Sequence, residues 1–150
     1  MSLKQAIEEA FAGVPYPGDD NITRCPYNCP ECREMADYFK GKTWTGHAVK
    51  DLRDRHTALL LFTPEAFQYF IPAFMFAAIN SYERTDLIPD SIRFHFEQSQ
   101  EMMGHFAVRM SKFTPAQRKA IIDFLLYMER KGDGSSENAI GMLSEASAYS

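Results

Sequence analysis

Thr63-Pro64-Glu65-Ala66-Phe67-Gln68-Tyr69-Phe70-Ile71-Pro72-Ala73-Phe74-Met75-Phe76 is the stretch that decides the fold class. Threonine is a favoured N-cap, proline at the first helical position lacks an N–H that the helix does not use there, and an acid in the first turn faces the positive end of the dipole. The residues that follow are apolar nearly all round, so this helix belongs inside a helical domain rather than on its surface. Pro72 removes one backbone hydrogen bond and is expected to kink it. The apolar run from Tyr69 to Ile79 falls well short of the ~20 residues needed to cross a bilayer, so it reads as a buried helix and not as a membrane anchor.

Working outward, helical spacing recurs on both sides. From Gly46 to Phe62, the residues Val49, Leu52, His56, Leu59 and Leu60 fall on one face, which places His56 on an apolar stripe. Upstream, Leu3, Ile7, Ala10 and Phe11 make a first helix ended by Gly13, and Arg33 to Lys40 makes a second ended by Gly41. Residues 13 to 30 between them hold four of the eight prolines and the turn-forming Asp19-Asp20-Asn21, a mix that opposes regular structure. Trp44, the single tryptophan, follows the second helix and is expected to cover an edge of the core.

Downstream, Ser91 to Phe96 alternates weakly and reads as a short extended piece. Glu97 to Lys112 carries Met102, Met103, Phe106, Met110 and Phe113 on one stripe, better explained as a core face than as an adaptable binding surface. Thr114-Pro115-Ala116-Gln117 is a capping box that opens a helix to about Arg130. In that helix Ala120, Ile121, Phe124, Leu125 and Met128 point one way, leaving Ile122 and Leu126 beside Arg118, Lys119 and Asp123. This second stripe needs cover, from the C-terminal tail or from a partner protein or second copy, so Ile122 and Leu126 are the candidate partner-binding residues.

The sequence therefore predicts an all-α fold: one compact domain over 1–150, with about five to seven helices around the central aromatic helix. A long N-terminal loop carries prolines and cysteines, and residues 131–150 form a partly flexible tail. At 150 residues with 45% hydrophobic content the chain can bury a core without staples. A formal charge of −4 and the lack of long Lys/Arg runs exclude a phosphate-backbone footprint, so nucleic acid is not an expected partner. The N-terminus lacks the pattern of a secretory leader, and an odd number of clustered cysteines suits a reducing compartment, so a cytoplasmic location is expected.

The densest reactive chemistry is Cys25-Pro26-Tyr27-Asn28-Cys29-Pro30-Glu31-Cys32. Three thiolates with a histidine or water would complete a tetrahedral zinc shell, and His47 and His56 are the available fourth ligands. Thiols packed without metal and a redox pair of Cys29 with Cys32 stand beside the zinc reading. The same spacing holds iron–sulfur clusters in radical enzymes that use S-adenosylmethionine, but 150 helical residues cannot build their partial barrel. His95 and His105 flank no recognised nucleophile, so no catalytic residue is assigned.

Several blocks occur in order: Cys29-Pro30-Glu31-Cys32, Gly41-Lys42 with Trp44, Leu61-Phe62-Thr63-Pro64-Glu65-Ala66-Phe67 with Tyr69-Phe70 and Pro72-Ala73-Phe74, and Phe113-Thr114-Pro115-Ala116-Gln117. Together they resemble a family of bacterial proteins of unknown function, from about Ala10 to about Arg130. The resemblance implies a single bacterial domain, similar in size and style to immunity and antitoxin-like proteins encoded near secreted toxins, and carries no assigned activity. Two readings follow. One is a non-enzymatic protein-binding domain whose partner is a toxin or a second copy; the alternative is a small zinc-binding or thiol-redox protein using Cys25, Cys29 and Cys32.

Overall fold

A computed structural model describes residues 1–24, 29–97 and 103–148. Among these the chain is all-α, with nine α-helices: α1 (Leu3–Phe11), α2 (Pro30–Phe39), α3 (Val49–Arg53), α4 (Ala58–Leu61), α5 (Pro64–Asn80), α6 (Ile88–His95), α7 (Met103–Ser111), α8 (Pro115–Arg130) and α9 (Glu137–Ala148). One 3-10 turn (Tyr82–Arg84) follows α5. No described helix is long and apolar enough to cross a membrane.

α5 buries residues on every side, from Ala66 to Ala78, and packs against α1, α3, α6 and α7. Its N-cap also anchors the loop before α2. Thr63 Oγ1 accepts from the Ala66 N–H at 3.0 Å and donates to the Asn21 carbonyl at 2.8 Å. The Thr63 and Arg24 N–H groups donate to the carbonyls of Ile22 and Leu61, and Thr23 and Phe62 form an isolated antiparallel bridge. Residues 21–24 are thus held along the α4–α5 junction by these bonds.

Two aromatic clusters fill the core. Phe39 and Phe62 lie 4.8 and 5.4 Å from the Phe70 ring, and Phe67, Phe96 and Phe113 are mutually 5.7 to 5.9 Å apart. All six rings are buried, and truncating one such ring to alanine typically costs ~3–5 kcal/mol.

The nine described helices exceed the five to seven expected, and three elements differ from the sequence reading. The helix expected over 46 to 62 is two short helices, because side-chain donors compete for its carbonyls. Arg55 Nη1 donates to the Asp51 carbonyl and His56 Nδ1 to that of Arg53, while the backbone N–H groups of Arg55 and His56 step back only three residues. The extended piece expected at Ser91 to Phe96 is the body of α6: Ile88, Ile92 and Phe96 are all buried, at helical rather than alternate spacing. The helix expected from Glu97 is described only from Met103 onward, and the Met102 assignment lies outside the described residues.

α8 packs on both α1 and α9. Ala139 and Leu143 of α9 are fully buried. Ile122 is half-buried against the core, whereas Leu126 is 38% exposed. Arg118, read as part of a polar face, is instead buried and donates to the Phe113 carbonyl.

Candidate functional site

A cleft of about 340 Å³ opens between α1, the loop of residues 41–48, α3 and α5. Its aromatic wall is Trp44 packed on Phe76, with ring centroids 5.3 Å apart. Ala73 and Ala77, one turn apart on α5, leave the room that larger residues would fill. The loop carrying Trp44 turns sharply at both ends, where Gly41 and Gly46 have φ of 73° and 78°, a region that side-chain-bearing residues rarely adopt. The Gly41 N–H donates to Tyr16 Oη at 2.7 Å, which pins the loop's start to the N-terminal segment.

His47, with Thr45 and Gly46, lines both this cleft and a more open one bordered by Tyr38, Lys42 and Asp51. Its Nε2 lies 2.7 Å from the Thr43 carbonyl, which can only accept, so Nε2 carries the proton. Nδ1, 2.8 Å from Tyr38 Oη, therefore accepts from the tyrosine hydroxyl. Burial lowers the His47 pKa below its ordinary value, opposed by the bond to Thr43. The ring is thus a neutral imidazole at neutral pH with both nitrogens occupied.

Tyr38 is itself clamped. The Arg55 guanidinium and the Lys42 ammonium lie 4.1 and 4.5 Å from its ring centroid. Burial raises its hydroxyl pKa, Asp51 adds to that and Arg55 opposes it, so it remains a donor at neutral pH.

At the cleft's edge, Asn80 Oδ1 accepts from the Lys4 ammonium at 2.8 Å. Glu8, one turn beyond Lys4 on α1, is exposed and makes no hydrogen bond or ion pair among the described residues. Thr45, also in the lining, shares a hydroxyl–hydroxyl bond with Thr43 at 3.0 Å. Among the described residues, the one hydroxyl in the lining, that of Thr45, is not paired with a histidine or carboxylate.

The thiol assignments are placed as follows. Cys29 is the N-cap of α2, where its Sγ accepts from the Cys32 N–H at 3.4 Å, so the two residues share the first turn. Cys32 is buried and Cys29 half-buried. Cys25 lies outside the described residues. Of the histidines named as fourth ligands, His47 is committed at both nitrogens and His56 donates through Nδ1 to the Arg53 carbonyl at 3.1 Å. Among the described residues, no group of three or more His, Cys, Asp or Glu side chains is gathered to hold a metal.

Sequence reasoning missed Glu8, Tyr38, Phe76 and Asn80 as a group with Trp44. The available signal was the single tryptophan on a loop bounded by Gly41 and Gly46. A side chain of that size on such a loop is held by whatever packs beneath it.

A family model described as Family of unknown function (DUF6714) matches residues 1–149. No curated protein and no solved structure matches the chain.

Proposed function

We propose that this chain, which belongs to that family of unknown function, is a non-enzymatic binding domain that engages another protein through the Trp44–Phe76 cleft. The observation that carries the reading is the cleft itself: a preformed hollow of about 340 Å³ with an aromatic wall and a few polar groups at its edge. Concave apolar sites with sparse polar groups are where proteins receive ligands and partner side chains. In this reading the partner acts as it would for an immunity-like protein, being held rather than transformed.

The test is a screen of immobilised peptides with the purified protein, followed by the emission of Trp44 with each bound peptide. Peptides that shift the emission and lose affinity in Trp44→Ala would support the cleft. Binding that leaves Trp44 unmoved, or turnover of any peptide, would sink it.

A second reading retains the cysteines as a zinc or thiol-redox centre, favoured by Cys29 and Cys32 sharing the first turn of α2. Metal content of protein purified without chelator tests it. One zinc per chain, released on Cys29→Ser without loss of helicity, supports it, and protein without metal whose thiols resist oxidation removes it.

A further inference from the structure

The geometry points to a basic side chain, the lysine or arginine of a partner protein, as the occupant of the Trp44–Phe76 cleft. This rests on the cleft reading above and adds the chemistry that fills it.

Three features converge on a cation with an apolar stem. The first is the aromatic surface: Trp44, Phe76 and His47 line one hollow, and aromatic faces attract ammonium and guanidinium groups. His47 adds no charge of its own against such a guest, because its Nδ1 accepts from Tyr38 and burial favours the neutral ring. The second is Glu8, an exposed carboxylate on the cleft's edge that makes no ion pair among the described residues. The third is Asn80, whose Oδ1 already accepts an ammonium, that of Lys4 at 2.8 Å. That contact is exposed, and exposed ammonium contacts contribute little, so an incoming cation can share or displace it at small cost.

The remaining lining suits the stem. Val49, Ala73 and Ala77 give an apolar floor for methylene groups, as long basic side chains bury their stems while their charged ends stay at a polar edge. Lys42 does not line this cleft, its ammonium donating to the Tyr38 carbonyl and lying over the Tyr38 ring. The whole chain carries a formal charge of −4, which draws a basic partner toward it.

The experiment titrates the intact protein with N-acetyl-lysine methylamide and with its norleucine counterpart, which keeps the stem and lacks the ammonium. Trp44, the single tryptophan, reports occupancy by its emission. The expected result is saturable binding of the lysine probe at least about tenfold tighter than the norleucine probe, a preference that Glu8→Gln reduces severalfold. Equal binding of the two probes would overturn the cation assignment while leaving the cleft as a binding site. No response of Trp44 to either probe would overturn both. Because Glu8 is exposed, its replacement by glutamine tests the charge without disturbing the core.

Discussion

The Tyr38 hydroxyl donates to His47 Nδ1 across 2.8 Å, while the opposite nitrogen of the same ring is held 2.7 Å from the Thr43 carbonyl. A chain folded this way fixes one tautomer of His47 and resists its protonation, since a proton on Nδ1 would meet a hydroxyl already pointing at it. Burial acts in the same direction.

The first prediction concerns pH. The folded His47 should titrate below 6.5, its value in an unfolded chain. Between those two values the unfolded chain takes up a proton that the folded chain refuses. The stability contribution is therefore complete above 6.5, declines as the pH falls below it, and levels off once the folded ring is also protonated. An NMR titration of the imidazole checks the direction, and a pKa above 6.5 would refute the lowering by burial. Tyr38→Phe removes the hydroxyl that stabilises the neutral ring, so in that variant the value should move back up.

A second prediction rests on Gln117, which ties three elements together. Its Oε1 accepts from the Thr114 N–H and from Gln68 Nε2, both at 3.0 Å, and its Nε2 donates to the Ala10 carbonyl, also at 3.0 Å. Gln117→Glu keeps the acceptor and turns the donor into an oxygen facing another oxygen in a buried place. Urea unfolding at neutral pH should show a loss of about 2–3 kcal/mol. The deficit should narrow in acid, where a protonated carboxyl regains a donor. A variant as stable as the parent at neutral pH would mean that the bond to α1 contributes nothing.

The third prediction is drawn from Arg109, which is 3% exposed. Its Nη2 donates to the carbonyls of Leu59, Leu60 and Phe62 at the end of α4, and the guanidinium lies 4.1 Å over the Phe67 ring. Burial, with Arg24 adding repulsion, pulls its pKa down to about 9, so it is still charged at neutral pH. Arg109→Met strips a donor from three carbonyls and should cost about 3 kcal/mol or more. Arg109→Lys should recover less than half of this, because an ammonium cannot both reach the carbonyls and stack on a ring. Full recovery by lysine in denaturant titrations would show that charge alone is at work.

These residues also mark where the sequence was readable. The starts of α5 and α8 were legible because a cap is a local affair: Thr63 and Thr114 accept from N–H groups three positions on. The capping role of Gln117 was legible for the same reason, but its bond to Ala10 joins positions 107 apart and leaves no local trace. Arg118 reads as part of a polar face because charge is ordinarily solvated, and no spacing marks Arg109 as a core residue. Their burial depends on carbonyls that become available only once α4 and the α7–α8 turn exist.

The candidate site divides in the same way. Trp44 was visible as a large ring on a glycine-bounded loop, yet its partner Phe76 sits 32 positions later on a helix apolar all round, where periodicity selects no face. His47 was assigned by its chemistry as a metal ligand. Nothing in the spacing reveals that Tyr38 and Thr43 would claim both its nitrogens.

The last prediction separates core from surface on α8. Ile122 is half-buried against the core and Leu126 is 38% exposed, although both lie on the stripe proposed for a partner. Ile122→Asp places a charge on a side chain that packs against the core, and should lower stability by about 2–3 kcal/mol without changing the size of the folded species. Leu126→Asp should stay within about 0.5 kcal/mol of the parent, since little apolar area is lost at an exposed site. Size-exclusion chromatography of both variants beside their unfolding curves decides the matter. If Leu126→Asp shifted elution to a smaller species while leaving the folded chain equally stable, the stripe would be an interface between copies, and the binding surface would have to be extended from the Trp44 cleft to α8.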